Sequence, residues 1–122
     1  RAHYRNTAIA GVLPVVIDGA DDRVELPEGF SPSVAEANHE VLSAIEGEWP
    51  ALLGYNRLVA KESGSILLEN GEDPILVLGR HGKGRTFAWA SDCAPHWGSP
   101  EFVNWKHYAR FWSQLFRWTA AS

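Results

Sequence analysis

The stretch from Leu78 to Gly98, LGRHGKGRTFAWASDCAPHWG, limits what this chain can become more than any other. An apolar run, a glycine-rich interruption and a second apolar run predict two strands joined by a tight turn. Ile75 to Leu78 is apolar on both faces, which suits a strand central in a sheet. Thr86 to Ala90 is its expected partner, with Gly82 and Gly84 supplying positive-φ positions at the turn, and Lys83 and Arg85 as solvated turn charges. The second strand runs out into a polar loop that carries Asp92, Cys93, His96 and Trp97.

A long helix is expected directly after that loop. Ser99 suits the N-cap, Pro100 the first turn, and Glu101 complements the positive end of the helix dipole. Phe102, Trp105, Ala109, Trp112, Phe116 and Thr119 recur at three and four residues as one apolar stripe. Lys106, His107, Arg110, Gln114 and Arg117 take the opposite side. Phe111 and Trp118 fall off the stripe, and this second patch predicts packing on something outside the chain: a missing N-terminal half of the domain or a second subunit.

Upstream, Gly11 to Ile17 reads as an edge strand through Pro14, and Asp18 to Asp22 as an acidic turn. Val24 to Leu26 is a short strand ended by a loop at Pro27, Gly29 and Pro32. Val34, Ala37, Val41, Leu42 and Ile45 predict an amphipathic helix over Ser33 to Glu46, stopped by Gly47 and Pro50. Leu52 to Ala60 and Ser65 to Leu68 form a pair of strands turned at Glu62-Ser63-Gly64, and Asn70 to Asp73 is a further turn.

Composition narrows the function. A length of 122 residues gives one domain with a real core. A net charge of -4 argues against non-specific nucleic-acid binding and anionic membrane surfaces. Apolar runs fall far short of the ~20 residues a spanning helix needs. A single cysteine excludes an internal disulfide and fits a reducing compartment, the cytoplasm. The chain starts at Arg1, holds no methionine and carries six tryptophans, and is read as a piece of a longer protein.

Three chemistries compete for the loop. Cys93 and His96 form a nucleophile and base if Asp92 orients the imidazole, although no glycine-framed elbow exposes the thiol. A metal needs three or four ligands, and Asp92, Cys93, His96 and Glu101 offer one cysteine and one histidine, so no metal is expected. The third reading is structural: Asp92 ties the Ala94-Pro95-His96 turn, His96 shapes the loop, Cys93 fills space, and Trp97 and Trp105 anchor it. Gly79 to Gly84 lacks phosphate-loop spacing and precedes a strand, so it is a hairpin turn and no cofactor is expected.

GRHGKGRTFAWASDCAPHWGSPEFVNW, with YRNTAIAGVLPV, DDRVELPEGF and WPALLGYN in order before it, resembles the glutamine amidotransferase-like proteins of the class I glutamine amidotransferase-like (ThuA-like) superfamily. The resemblance implies an α/β, flavodoxin-like three-layer domain, a parallel sheet between helices. This chain would be its C-terminal portion, with a β-hairpin and a long C-terminal helix. Class I amidotransferases pair an elbow cysteine with a His-x-Glu; here His96 is followed by Trp97 and Gly98. The expected function is therefore an amidotransferase-like domain of unassigned activity, a non-catalytic ligand-binding or assembly module. The alternative is a hydrolase or amidotransferase acting on a small amide or carbohydrate-like substrate. In it His96 is the acid/base, Asp92 its orienter, Cys93 the nucleophile candidate, and Trp97 and Glu101 the substrate-binding residues.

Overall fold

The computed structural model describes residues 4–17 and 21–121; Asp18, Gly19 and Ala20 of the expected acidic turn lie outside them. The elements run α1 (Ala8–Val12), β1 (Val15–Val16), β2 (Arg23–Phe30), β3 (Ser33–Val34), a 3-10 turn (Glu40–Leu42), β4 (Leu52–Asn56), β5 (Val59–Ala60), β6 (Ser65–Asn70), β7 (Asp73–His81), β8 (Gly84–Trp89), α2 (Pro100–Val103) and α3 (Tyr108–Ala120). The chain is mixed α/β. A four-stranded sheet has the order β3-β6-β7-β8, and β2-β4 and β1-β5 are two-stranded ribbons. Every one of these pairings is antiparallel, so the expected parallel sheet does not occur among the described residues.

β7 is central, as its two-faced apolar run requires. Ile75, Leu76, Val77 and Leu78 are all buried, and β8 pairs with β7 from Leu76↔Trp89 to His81↔Gly84. Gly82 takes the positive φ of that turn, +58°. Pro14 covers one face of β7, lying so close to Gly79 that a Cβ there would come within 2.6 Å of it. The other face meets α3 and the 3-10 turn through a core that includes Leu52, Tyr55, Leu68, Phe102, Phe111, Leu115 and Trp118.

Several sequence expectations are corrected. Gly11 and Val12 belong to α1, and only Val15–Val16 of the expected first strand is extended. β2 runs on through Pro27 and Gly29, because an edge ribbon with shifted register between Glu25 and Phe30 tolerates both. The helix expected over Ser33 to Glu46 is absent: Val34 pairs with Leu68, and only a 3-10 turn forms, with the His39 imidazole accepting from the Val41 N–H at 3.2 Å. Val41 and Leu42 are buried anchors, and Ala44 at φ +61° ends the helical path. β4 pairs with β2, and β5 with β1, rather than with β6.

The C-terminal helix is two helices. Ser99 caps α2, its hydroxyl accepting from the Phe102 N–H at 3.1 Å and donating to the Ala51 carbonyl at 2.5 Å. The Asn104 side-chain amide takes the Pro100 carbonyl at 2.9 Å, α2 ends, and Trp105 turns to pack on Trp49 with ring centroids 4.6 Å apart. α3 restarts at Tyr108 in a new phase. Its buried face is Phe111, Leu115 and Trp118, while Phe116, expected in the core, is 58% exposed. Phe111 and Trp118 therefore pack inside this chain, against Trp49, Trp89 and His39 among others, and are not a free flank for a partner.

Candidate functional site

The loop after β8 is tied down from every side. The Ser91 hydroxyl donates to the Gly54 carbonyl at 2.6 Å, and the Leu53 N–H donates to the Trp97 carbonyl at 2.8 Å. These bonds dock the loop along β4. Within the loop, Asp92 Oδ2 accepts from the Trp97 N–H at 3.1 Å and meets His96 Nδ1 at 2.8 Å. A carboxylate only accepts, so Nδ1 carries the hydrogen and Nε2 faces away from the pair. The turn is very tight: the Gly98 N–H reaches the Ala94 carbonyl at 3.1 Å, and a Cβ on Gly98 would sit 2.4 Å from that oxygen. His96, at the crown of the turn, is held at φ +124°, a region that side chains other than glycine rarely occupy.

The structure separates the five residues singled out by sequence. Asp92 and His96 are brought together, with side chains 40% and 70% exposed. Cys93 is an exposed free thiol whose carbonyl accepts from the Tyr108 hydroxyl at 2.6 Å. No hydrogen bond joins it to His96 among the described residues. Trp97 is buried rather than a pocket wall: its indole N–H donates to Glu25 Oε2 at 2.9 Å, and His96 stacks on it at 5.4 Å. Glu101 is exposed in the first turn of α2. Among the described residues, no group of three or more His, Cys, Asp or Glu side chains could hold a metal ion.

Beside the loop lies a groove of about 500 Å³ between β8 and α3. Phe87, Trp89 and Ser91 line it from the strand side, and Tyr108, Trp112 and Phe116 from the helix. Asp92 and Cys93 complete the end nearest the loop. The matching spacing has a simple cause. Two strand residues advance ~6.6 Å and four helical residues ~6 Å, so alternate positions on β8 keep step with every fourth position on α3. β8 and α3 run in opposite directions, giving Phe87 opposite Phe116 at 5.8 Å and Trp89 opposite Trp112 at 5.3 Å. Neither indole N–H of that second pair finds an acceptor among the described residues.

Bonds close both ends of this ladder. Tyr108 holds the Cys93 carbonyl at one end. At the other, Arg85 donates to the Trp118 carbonyl at 3.0 Å and lies over the Trp118 ring at 5.0 Å, so it is not a solvated turn charge. The sequence reading missed Phe87, Trp89 and Tyr108 as groove residues and assigned Trp112 and Phe116 to the core. The available signal was aromatic recurrence at two residues in 87–89 and at four in 108–112–116.

Over residues 1–121 the chain matches the family described as "Putative glutamine amidotransferase". It belongs to this glutamine amidotransferase-like family. Two solved structures are similar to it. Cytoplasmic Protein STM1381 from Salmonella typhimurium LT2 is 47% identical with a TM-score of 0.89, over 95% of this chain and 47% of its own. Cytoplasmic Protein STM3548 from Salmonella typhimurium is 39% identical with a TM-score of 0.90, over 98% and 48%. The chain thus spans about half the length of these two proteins. No curated protein matches it. No helix among the described residues is long and apolar enough to cross a membrane.

Proposed function

We propose that this chain is a cytoplasmic, ligand-binding and non-catalytic member of the glutamine amidotransferase-like family, with the groove between β8 and α3 as its binding site. One observation carries the reading: the groove reaches Asp92 and Cys93, while the imidazole of His96 is not among its lining residues. A glutaminase needs its thiol and imidazole within hydrogen-bond reach of each other, and Cys93 and His96 lack that bond among the described residues. The names of the two Salmonella proteins support a cytoplasmic setting. We further propose that the chain corresponds to the C-terminal portion of a ThuA-like, flavodoxin-like domain. The coverage of only 47% and 48% of the relatives' chains supports its being one portion of a longer protein.

The test is tryptophan fluorescence during titration with benzamide, run beside ammonia release from glutamine. The reading expects a saturable fluorescence change and no ammonia. Ammonia release that Cys93→Ser abolishes would overturn it.

A second reading, a hydrolase acting on a small amide or carbohydrate-like substrate, is favoured by the Asp92–His96 pair. Asp92 holds Nδ1, leaving Nε2 available as acid/base, and the strained φ of +124° is of the kind kept at working sites. Under this reading His96→Gln abolishes turnover with unchanged melting. Under the binding reading it leaves benzamide affinity intact.

A further inference from the structure

The walls of the groove are largely aromatic, and its one formal charge is acidic. Phe87, Trp89, Tyr108, Trp112 and Phe116 surround it, Asp92 stands at one end, and no lysine or arginine lines it. Aromatic faces are electron-rich, so rings gathered around one cavity favour positive charge. Asp92 uses Oδ2 for both of its bonds in the loop, and Oδ1 has no hydrogen-bond partner among the described residues. An anion would lose its hydration here for little return, since the Ser91 hydroxyl is already given to the Gly54 carbonyl and the unpartnered indole N–H groups of Trp89 and Trp112 are buried away from the surface. A neutral apolar molecule gains only contact area. A cation gains from both the rings and the carboxylate.

We propose that the groove binds a small organic cation, an alkylated or protonated amine on an apolar or aromatic body. The proposal rests on reading the groove as a ligand site and names the ligand's class. Its volume of about 500 Å³ suits a small molecule rather than a bare ion. The charge end of the ligand lies toward Asp92, and its apolar body lies along the groove toward Phe87 and Phe116.

The test compares three probes of similar size by calorimetry and tryptophan fluorescence: benzyltrimethylammonium, benzamide and benzoate. The expected order places benzyltrimethylammonium about tenfold tighter than benzamide, with benzoate weakest. Asp92→Asn, which keeps the loop's acceptor oxygen, weakens only the cation, by about threefold. Phe116→Ala, at an exposed position that cannot unfold the core, weakens it by a similar factor of about three. Benzamide or benzoate binding as tightly as the cation overturns this inference and leaves the groove a ligand site. Failure of all three probes to bind overturns both.

Discussion

Trp97 lies flat against Gly54, so close that a Cβ on Gly54 would come within 2.4 Å of the indole nitrogen. The contact explains why the loop sits where it does. The indole cannot withdraw, because Glu25 holds its N–H and Asp92 and Leu53 hold its backbone. Gly54→Ala is therefore expected to cost at least about 2 kcal/mol through overpacking. Chemical denaturation checks this, and Trp97→Leu in the same chain should recover part of the loss, because the obstructing ring is gone.

His96 supplies a second test. Its φ of +124° suits glycine better than any side chain. His96→Ala and His96→Gly both remove the bond to Asp92, and only the second relieves the backbone. We expect His96→Gly to be more stable than His96→Ala by about 1 kcal/mol, measured by urea unfolding. Equal stabilities would show that the crown of the turn carries no strain.

Ser99 is buried and does two jobs, capping α2 and satisfying the Ala51 carbonyl. Ser99→Ala removes the cap and orphans a buried acceptor, an expected loss of about 2–3 kcal/mol. Ser99→Thr keeps the hydroxyl and should lose less, provided its extra methyl is accommodated. Thermal melting of the two variants separates cap from packing.

Tyr55 makes stability fall at alkaline pH. Burial first, and then its hydrogen bond to Asp73 at 2.6 Å, raise its pKa above the ordinary 10.0. The folded state thus holds the phenolic proton more tightly than the unfolded chain. The stabilisation is complete below pH 10 and is lost as pH rises from there through the raised folded value. Tyr55→Phe should be less stable than the parent near neutrality by about 1 kcal/mol, and should lack the parent's extra decline above pH 10. Urea unfolding from pH 8 to 11 reads both.

The phase of α3 is checked by a pair of truncations. Phe111 is fully buried and Phe116 is 58% exposed. Phe111→Ala should cost about 3–5 kcal/mol, and Phe116→Ala less than about 1. The opposite ranking would restore the stripe that runs through Phe116.

What was legible in the sequence was local chemistry. The β7–β8 hairpin, the turn at Asn70 to Asp73 and the Ser99 cap each depend on residues within a few positions of one another. The Asp92–His96 pair is likewise a four-residue affair. The phase of the terminal helix was not legible, because Asn104 and Trp105 interrupt it and restart the count at Tyr108. The stripe was anchored by Phe102 on α2 and by Trp105 in the break, and extending it into α3 carried the error to Phe116. The Ser33 to Glu46 helix failed for another reason: its apolar residues serve two tertiary partners, β6 for Val34 and α3 for the Val41 segment, whose carbonyl takes the Gln114 amide at 2.8 Å. The groove was invisible since neither wall is a motif alone; it exists only where the two periodicities meet.

Arg85 grips the last turn of α3 from the first residues of β8, and Tyr108 grips Cys93 at the far corner. A mouth stitched at both corners has a set aperture. The separation of its two walls is then a property of the folded chain itself.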